Sequence, residues 1–239
     1  MFNVPPIVLA TAAVLILVHA LRALVLSDAQ DLRLLITFAF IPARYGTDIA
    51  GGLPGGFGAD LWTFFTYAFL HADLLHLGVN LAWLLPFGTA LARRFGALRY
   101  VAFMLVMAAA GAFAHLISHP GEMVPMIGAS AAISGAMAAA LRFIFQIGGP
   151  LGAWRGDAEG AYRVPAAPLL ATLRDPRFLL FFAAWIGLNL LIGLGTVSVA
   201  EQGQEVAWQA HIGSFLAGLL LFNAFDPVPR RRLDVEPSG

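Results

Sequence analysis

The chain has 239 residues, of which 59% are hydrophobic and 12% charged, against about 45–50% and about 25% in soluble domains. That surplus of apolar side chain needs lipid to face and excludes an ordinary soluble domain. Basic and acidic residues balance at 14 each, which leaves no electrostatic footprint for nucleic acid, and the lack of Cys excludes disulfides, thiolate metal sites and a cysteine nucleophile.

Apolar runs of about 20 residues predict six membrane spans, at 5–26, 61–91, 100–118, 129–147, 178–199 and 206–225. The first has no basic residue ahead of its apolar run, and the run is too long for a signal peptide, so it is expected to be retained. The piece LLITFAFIP at 34–42 is too short to cross and is expected in the interface or as a re-entrant part of the first loop. The second run, 61–91, is long enough to enter the membrane at a tilt. Residues 148–176 read as a loop rather than a domain, and the Pro-rich, charged end DPVPRRRLDVEPSG reads as disordered. The expected organisation is therefore an all-α membrane protein, a six-helix bundle over 1–225 followed by a cytoplasmic tail over 226–239.

Every basic residue is Arg, and most lie in the 92–99 loop, in or near the 148–176 connection, and after span six. The positive-inside rule makes those segments and both termini cytoplasmic, with Arg22, Arg33 and Arg44 on the other side against it. A six-span layout without a targeting segment fits a bacterial inner membrane. No inverted internal repeat is visible, which argues against a secondary transporter.

Polar side chains are costly inside a bilayer, so each one within a span is a candidate for function. His76 and Asn80, four residues apart, share one helical face. They are either a packing pair that acts as interhelical glue or N–H donors aimed at a developing oxyanion. Ser130 follows Gly128 in the sequence GAS, just after a loop, where backbone can approach closely and a helix start leaves free N–H groups. His211 is followed by Ser214 and Gly218, a small-xxx-small pair that allows close helix contact, and span four offers Ala131, Gly135, Ala138 and Ala139 as the matching surface. Contact along those faces would let His211 serve Ser130 as general base. Asn189 reads as an interhelical hydrogen-bonding residue, and His19, His115 and His119 show no evident partner. HADLLH lacks the histidine spacing of a zinc-protease helix, so neither metal nor cofactor is expected.

In this order, HADLLHLGVN, GAS and AHIGSFLAG resemble the rhomboid family of intramembrane serine proteases, over about residues 1–225. The resemblance implies a nucleophile, Ser130, and its base, His211, in a dyad without an acidic third member. It implies an oxyanion site from His76, Asn80 and the Ser130 backbone N–H. The implied partners are transmembrane protein substrates in the lipid bilayer, the active site lies near the outer face, 196–206 caps it, and span five is a lateral gate. The chain departs from the common family pattern at Ala131, expected to narrow the cleft, and at Ser134, where an aromatic ring usually packs under the histidine. Ser214 stands for a common Gly, and Arg93–Arg94 fall where an acidic residue is frequent. Two other readings are a catalytically silent relative that binds transmembrane helices and directs their trafficking or degradation, and a small-solute transporter or channel.

Overall fold

The computed structural model describes residues 4–46, 52–152, 159–193 and 207–229, and among these the regular structure is helical, with no strand beyond one isolated bridge. Helix α1 (Pro6–Leu24) begins on proline, whose missing N–H costs nothing at a helix start. A surface helix, α2 (Asp28–Phe38), follows directly, its start closed by the Gln30 side chain accepting from the Ser27 N–H at 2.9 Å. The 34–42 piece is thus the end of α2 plus a buried extended stretch from Ala39 to Ile41, and it does not cross.

The 61–91 run is not one tilted helix. It is α3 (Gly56–Thr66) and α4 (Leu74–Phe95), parted by a single 3-10 turn at Tyr67–Phe69 and an extended step at Leu70. Two contacts explain the break. The Asp73 carboxylate accepts from the His76 N–H at 2.7 Å, starting a new helix. The His71 carbonyl, which a continuous helix would use internally, accepts instead from Arg22 Nη1 at 2.7 Å.

Helix α5 (Ala97–Ser118) follows α4 after a single Gly, and then come α6 (Ser130–Leu141), α7 (Leu169–Arg174), α8 (Pro176–Gly193) and α9 (Trp208–Phe225). Four of these, α1, α4, α5 and α8, are long and apolar enough to cross a membrane. The expected span 129–147 shortens to the 12 residues of α6, about 18 Å of rise against a hydrocarbon core of about 30 Å. Helix α9 has the length, 18 residues, but Gln209, His211 and Asn223 dilute its apolar character. The reason α6 can be short is its position: every residue from Ala131 to Leu141 is buried, so neighbouring helices rather than lipid surround it.

Small residues make that enclosure tight. A Cβ on Gly218 would lie 2.8 Å from Gly135 Cα, so α9 and α6 touch backbone to backbone, as the small-residue pattern predicts. Ser214 Oγ, fully buried, donates to the Met107 carbonyl at 3.0 Å and ties α9 to α5.

Several arginines are structural. Arg94 is buried, with a bidentate pair to Asp226 at 2.9 Å, further bonds to the Tyr162 and Val164 carbonyls, and its guanidinium over the Phe143 ring. It holds the end of α9 to α4, so Asp226, assigned from sequence to the tail, is anchored; residues 230–239 lie outside those described. Arg142 caps the Ala167 and Leu219 carbonyls. On the opposite side, Arg22 is bidentate to Asp31, and Arg44 donates to the Ile36 and Pro54 carbonyls. Arg22 and Arg44, which count against the expected orientation, are thus engaged in holding the first loop. Replacing Arg94 with Ala leaves the Asp226 carboxylate buried and unpaired, and is expected to cost about 3–5 kcal/mol. Thermal unfolding in detergent checks this; adding Asp226→Asn should return part of the loss.

Candidate active site

The loop ahead of α6 is pinned from several directions. Phe40 and Met126 exchange backbone hydrogen bonds at 3.1 and 2.8 Å, the Gly128 N–H donates to the Tyr67 carbonyl at 3.0 Å, and the Ala43 N–H donates to the Glu122 carbonyl at 2.9 Å. His115, which shows no partner in the sequence, meets the Val124 carbonyl through Nε2 at 3.1 Å and holds the same loop. Gly128 itself has φ +112°, a conformation open to glycine and strained for other residues. These constraints fix where α6 starts, and Ser130 is its first residue. The Ser130 N–H therefore belongs to the first turn, where backbone donors have no intrahelical acceptor and the helix dipole favours negative charge.

His211, one turn into α9, reaches Ser130: Nε2 and Oγ are 2.7 Å apart. Its other nitrogen, Nδ1, is 2.6 Å from Asn189 Oδ1 on α8. Ser134 borders the same cavity, but its hydroxyl turns back to donate to the Ser130 carbonyl at 2.8 Å, so its hydrogen bond does not go to His211. Ala131 packs toward α5 at Gly111, where a Cβ would lie 2.6 Å from the Ala131 methyl. The methyl that replaces the family's glycine is met there by a glycine on the neighbouring helix.

His76 and Asn80 come to the same place from α4. The position a Gly128 Cβ would occupy is 2.7 Å from His76 Nε2 and 3.7 Å from Ser130 Oγ, so Gly128 is the gap that brings the two together. On the far side of the ring the Ala72 N–H stands 3.5 Å from His76 Nδ1, at the outer limit of a hydrogen bond, which leaves Nε2 to carry the proton toward the serine. The His71 ring packs against it edge-on at 5.1 Å. Asn80 Nδ2 donates one hydrogen to the His76 carbonyl at 2.9 Å, and its buried Oδ1 has no partner among the described residues.

His76, Asn80, Ser130, Asn189 and His211 all border one cavity of about 810 Å3, whose remaining wall is largely apolar and includes Trp83 and Leu188. Gly218 lies apart from it, in the α6–α9 contact, and Gly128 forms part of its rim. The expected cap at 196–206 lies outside the described residues. A hydroxyl bonded to an imidazole that is itself oriented by a third group is the arrangement nucleophilic catalysis uses. Sequence reasoning placed Asn189 between helices but not beside the histidine. The available signal was a lone Asn in the apolar run of α8 beyond Arg177, and only the packing of α8 on α9 gives it the histidine as a partner.

No curated protein matches the chain. The Rhomboid domain family model matches residues 58–225, from within α3 to the last residue of α9, and takes in every residue of the site. With four helices able to cross a membrane and this match over most of its length, the chain is a multi-pass membrane protein that belongs to the rhomboid family, typified by intramembrane serine proteases.

Proposed function

We propose that the protein is an intramembrane serine endopeptidase that cleaves transmembrane segments of other membrane proteins. The observation that carries this is the 2.7 Å contact between Ser130 Oγ and His211 Nε2 at the edge of a cavity large enough for an extended peptide segment. Ser130 Oγ attacks the scissile carbonyl as His211 takes its proton. His211 then gives that proton to the leaving amine, and a water attacks the acyl-serine with His211 again as base. The Ser130 N–H, His76 Nε2 and the free amide hydrogen of Asn80 receive the oxyanion.

The six-span reading counts the enclosed α6 and the partly exposed α9 as members of the bundle over 1–225, with a tail beyond it. Both termini are then cytoplasmic, in a bacterial inner membrane, with the Ser130 end of α6 toward the outer face. Helix α8 is the lateral gate: Trp185 stacks on Phe215 of α9 at 4.5 Å, and Leu188 is 51% exposed.

The test is to incubate the purified protein, in detergent or liposomes, with a single-span substrate and separately with a fluorophosphonate probe. Cleavage, with the probe found on Ser130, supports the proposal; neither cleavage nor labelling defeats it. His76→Ala and Asn80→Ala should each lower turnover by about 10²-fold or more, since one oxyanion donor is worth about 2.7–4 kcal/mol. Normal turnover in both would make them packing residues.

A further inference from the structure

The family resemblance anticipates a two-residue site, and at Ser134 the chain lacks the aromatic ring that usually packs under the histidine. Something else must hold the His211 imidazole, and the geometry around Asn189 identifies it. The Asn189 amide has a determined orientation: Nδ2 donates to the Trp185 carbonyl at 2.8 Å, and a carbonyl can only accept. Oδ1 therefore faces His211, 2.6 Å from Nδ1. An amide oxygen can only accept, so Nδ1 must carry a hydrogen. A neutral imidazole with its hydrogen on Nδ1 has its lone pair on Nε2, and that nitrogen stands 2.7 Å from Ser130 Oγ. The serine hydroxyl then donates to His211, the direction that proton removal requires. With Nδ1 unheld the ring could place its hydrogen on Nε2 instead, and the pair could not react.

We propose that Asn189 is a positioning residue: it fixes His211 in the tautomer and ring orientation that accept the Ser130 proton, making a Ser130–His211–Asn189 triad in place of the dyad. This rests on the protease reading of the same site. Asn189 is neutral, so it orients the imidazolium formed in the reaction without the counter-charge a carboxylate would supply. Among the described residues, the other ionisable groups bordering the cavity, apart from the Tyr67 phenol, are His76 and Asp73, both at the start of α4.

The experiment compares fluorophosphonate labelling of Ser130, as a rate against pH, in wild type, Asn189→Leu and Asn189→Asp, with thermal unfolding recorded for each. Asn189→Leu keeps the side-chain volume and loses the acceptor, and should label at least about 10²-fold more slowly. Asn189→Asp keeps an acceptor oxygen and adds charge. It should label faster than the Leu variant, and because a neighbouring anion favours the imidazolium, the acidic limb of its profile should move to higher pH by about one unit or more. If Asn189 merely docks α8, a buried carboxylate is no better than leucine in labelling rate at any pH, wherever its charge moves the limb. Labelling of the Leu variant within about threefold of wild type, or an Asp variant no faster than Leu, overturns the proposal. Should the Leu variant unfold, the Asp variant decides by its plateau rate: labelling within about tenfold of wild type supports the proposal, and a loss of about 10²-fold or more overturns it. Failure of wild type to label, by contrast, defeats the protease reading itself.

Discussion

Ser130→Ala and His211→Ala should each reduce cleavage of a single-span substrate by about 10⁴- to 10⁶-fold, and the double variant should be no slower than either alone. The expectation follows from the 2.7 Å contact between the two side chains. Groups that act on one proton fail together, and removing the second costs almost nothing once the first is gone. The residual rate would come from the oxyanion donors and from holding the substrate. Turnover by purified variants in liposomes measures this. A double variant slower than either single variant by the product of their effects would mean that the residues act independently and are not a nucleophile and its base. Unchanged cleavage in Ser130→Ala would remove the nucleophile from the assignment altogether.

The second large effect is expected at Gly128, which makes no chemical contribution of its own. A Cβ there would lie 2.7 Å from His76 Nε2 and 2.8 Å from Cε1, on a backbone at φ +112°. Gly128→Ala must therefore shift either the loop or the imidazole. On the proposed mechanism, moving His76 removes an oxyanion donor, worth about 2.7–4 kcal/mol, and the strained backbone costs about 1–3 kcal/mol more. Activity should fall by about 10³-fold while Ser130→Ala-sensitive probe labelling survives at a reduced rate, because Ser130 and His211 stay bonded. Thermal unfolding should show a modest loss. Wild-type turnover in Gly128→Ala would mean that His76 is not required at that position.

The sequence announces much of this site because a bilayer makes polar residues conspicuous. Ser130, His211, His76 and Asn80 stand out in apolar runs, and all four border one cavity. What hydropathy could not give was the division of 61–91. The segment around His71 and Asp73 is short and flanked by leucine and phenylalanine, so the average stays apolar across a break made by two hydrogen bonds. Asp73 is a good N-cap residue, and it was the available clue. The length of α6 was hidden for the opposite reason. A helix wholly enclosed by protein is as apolar as one facing lipid, so Phe143, Ile144 and Phe145 carry the apolar run past Leu141 into turns. Asn189 was visible as a residue but not as a partner, since its role depends on a contact between helices 22 residues apart in sequence. Positive charge misled in part, because Arg22, Arg44, Arg94 and Arg142 are placed by carbonyls and carboxylates as much as by membrane sidedness.

Helix α8 is seated lightly, with 11% of its apolar window buried against 28–33% in the other crossing helices. Leaving its seat would exchange protein contacts for lipid ones, so no hydrophobic penalty opposes it. The attachments at stake include a few aromatic contacts, Trp185, Phe182 and Phe178 on Phe215 and Phe181 on Phe87, the Arg177 guanidinium over Phe145, and the bond from Asn189 to His211. At about 0.5–1.5 kcal/mol per aromatic pair and about 1 kcal/mol for the hydrogen bond, departure costs a few kcal/mol. Such a gap leaves the helix away for no more than about 1% of the time. During those intervals the imidazole has lost its amide partner and the serine its oriented base. An open enzyme would thus be idle, and reaction would resume only when α8 closes again behind whatever has entered.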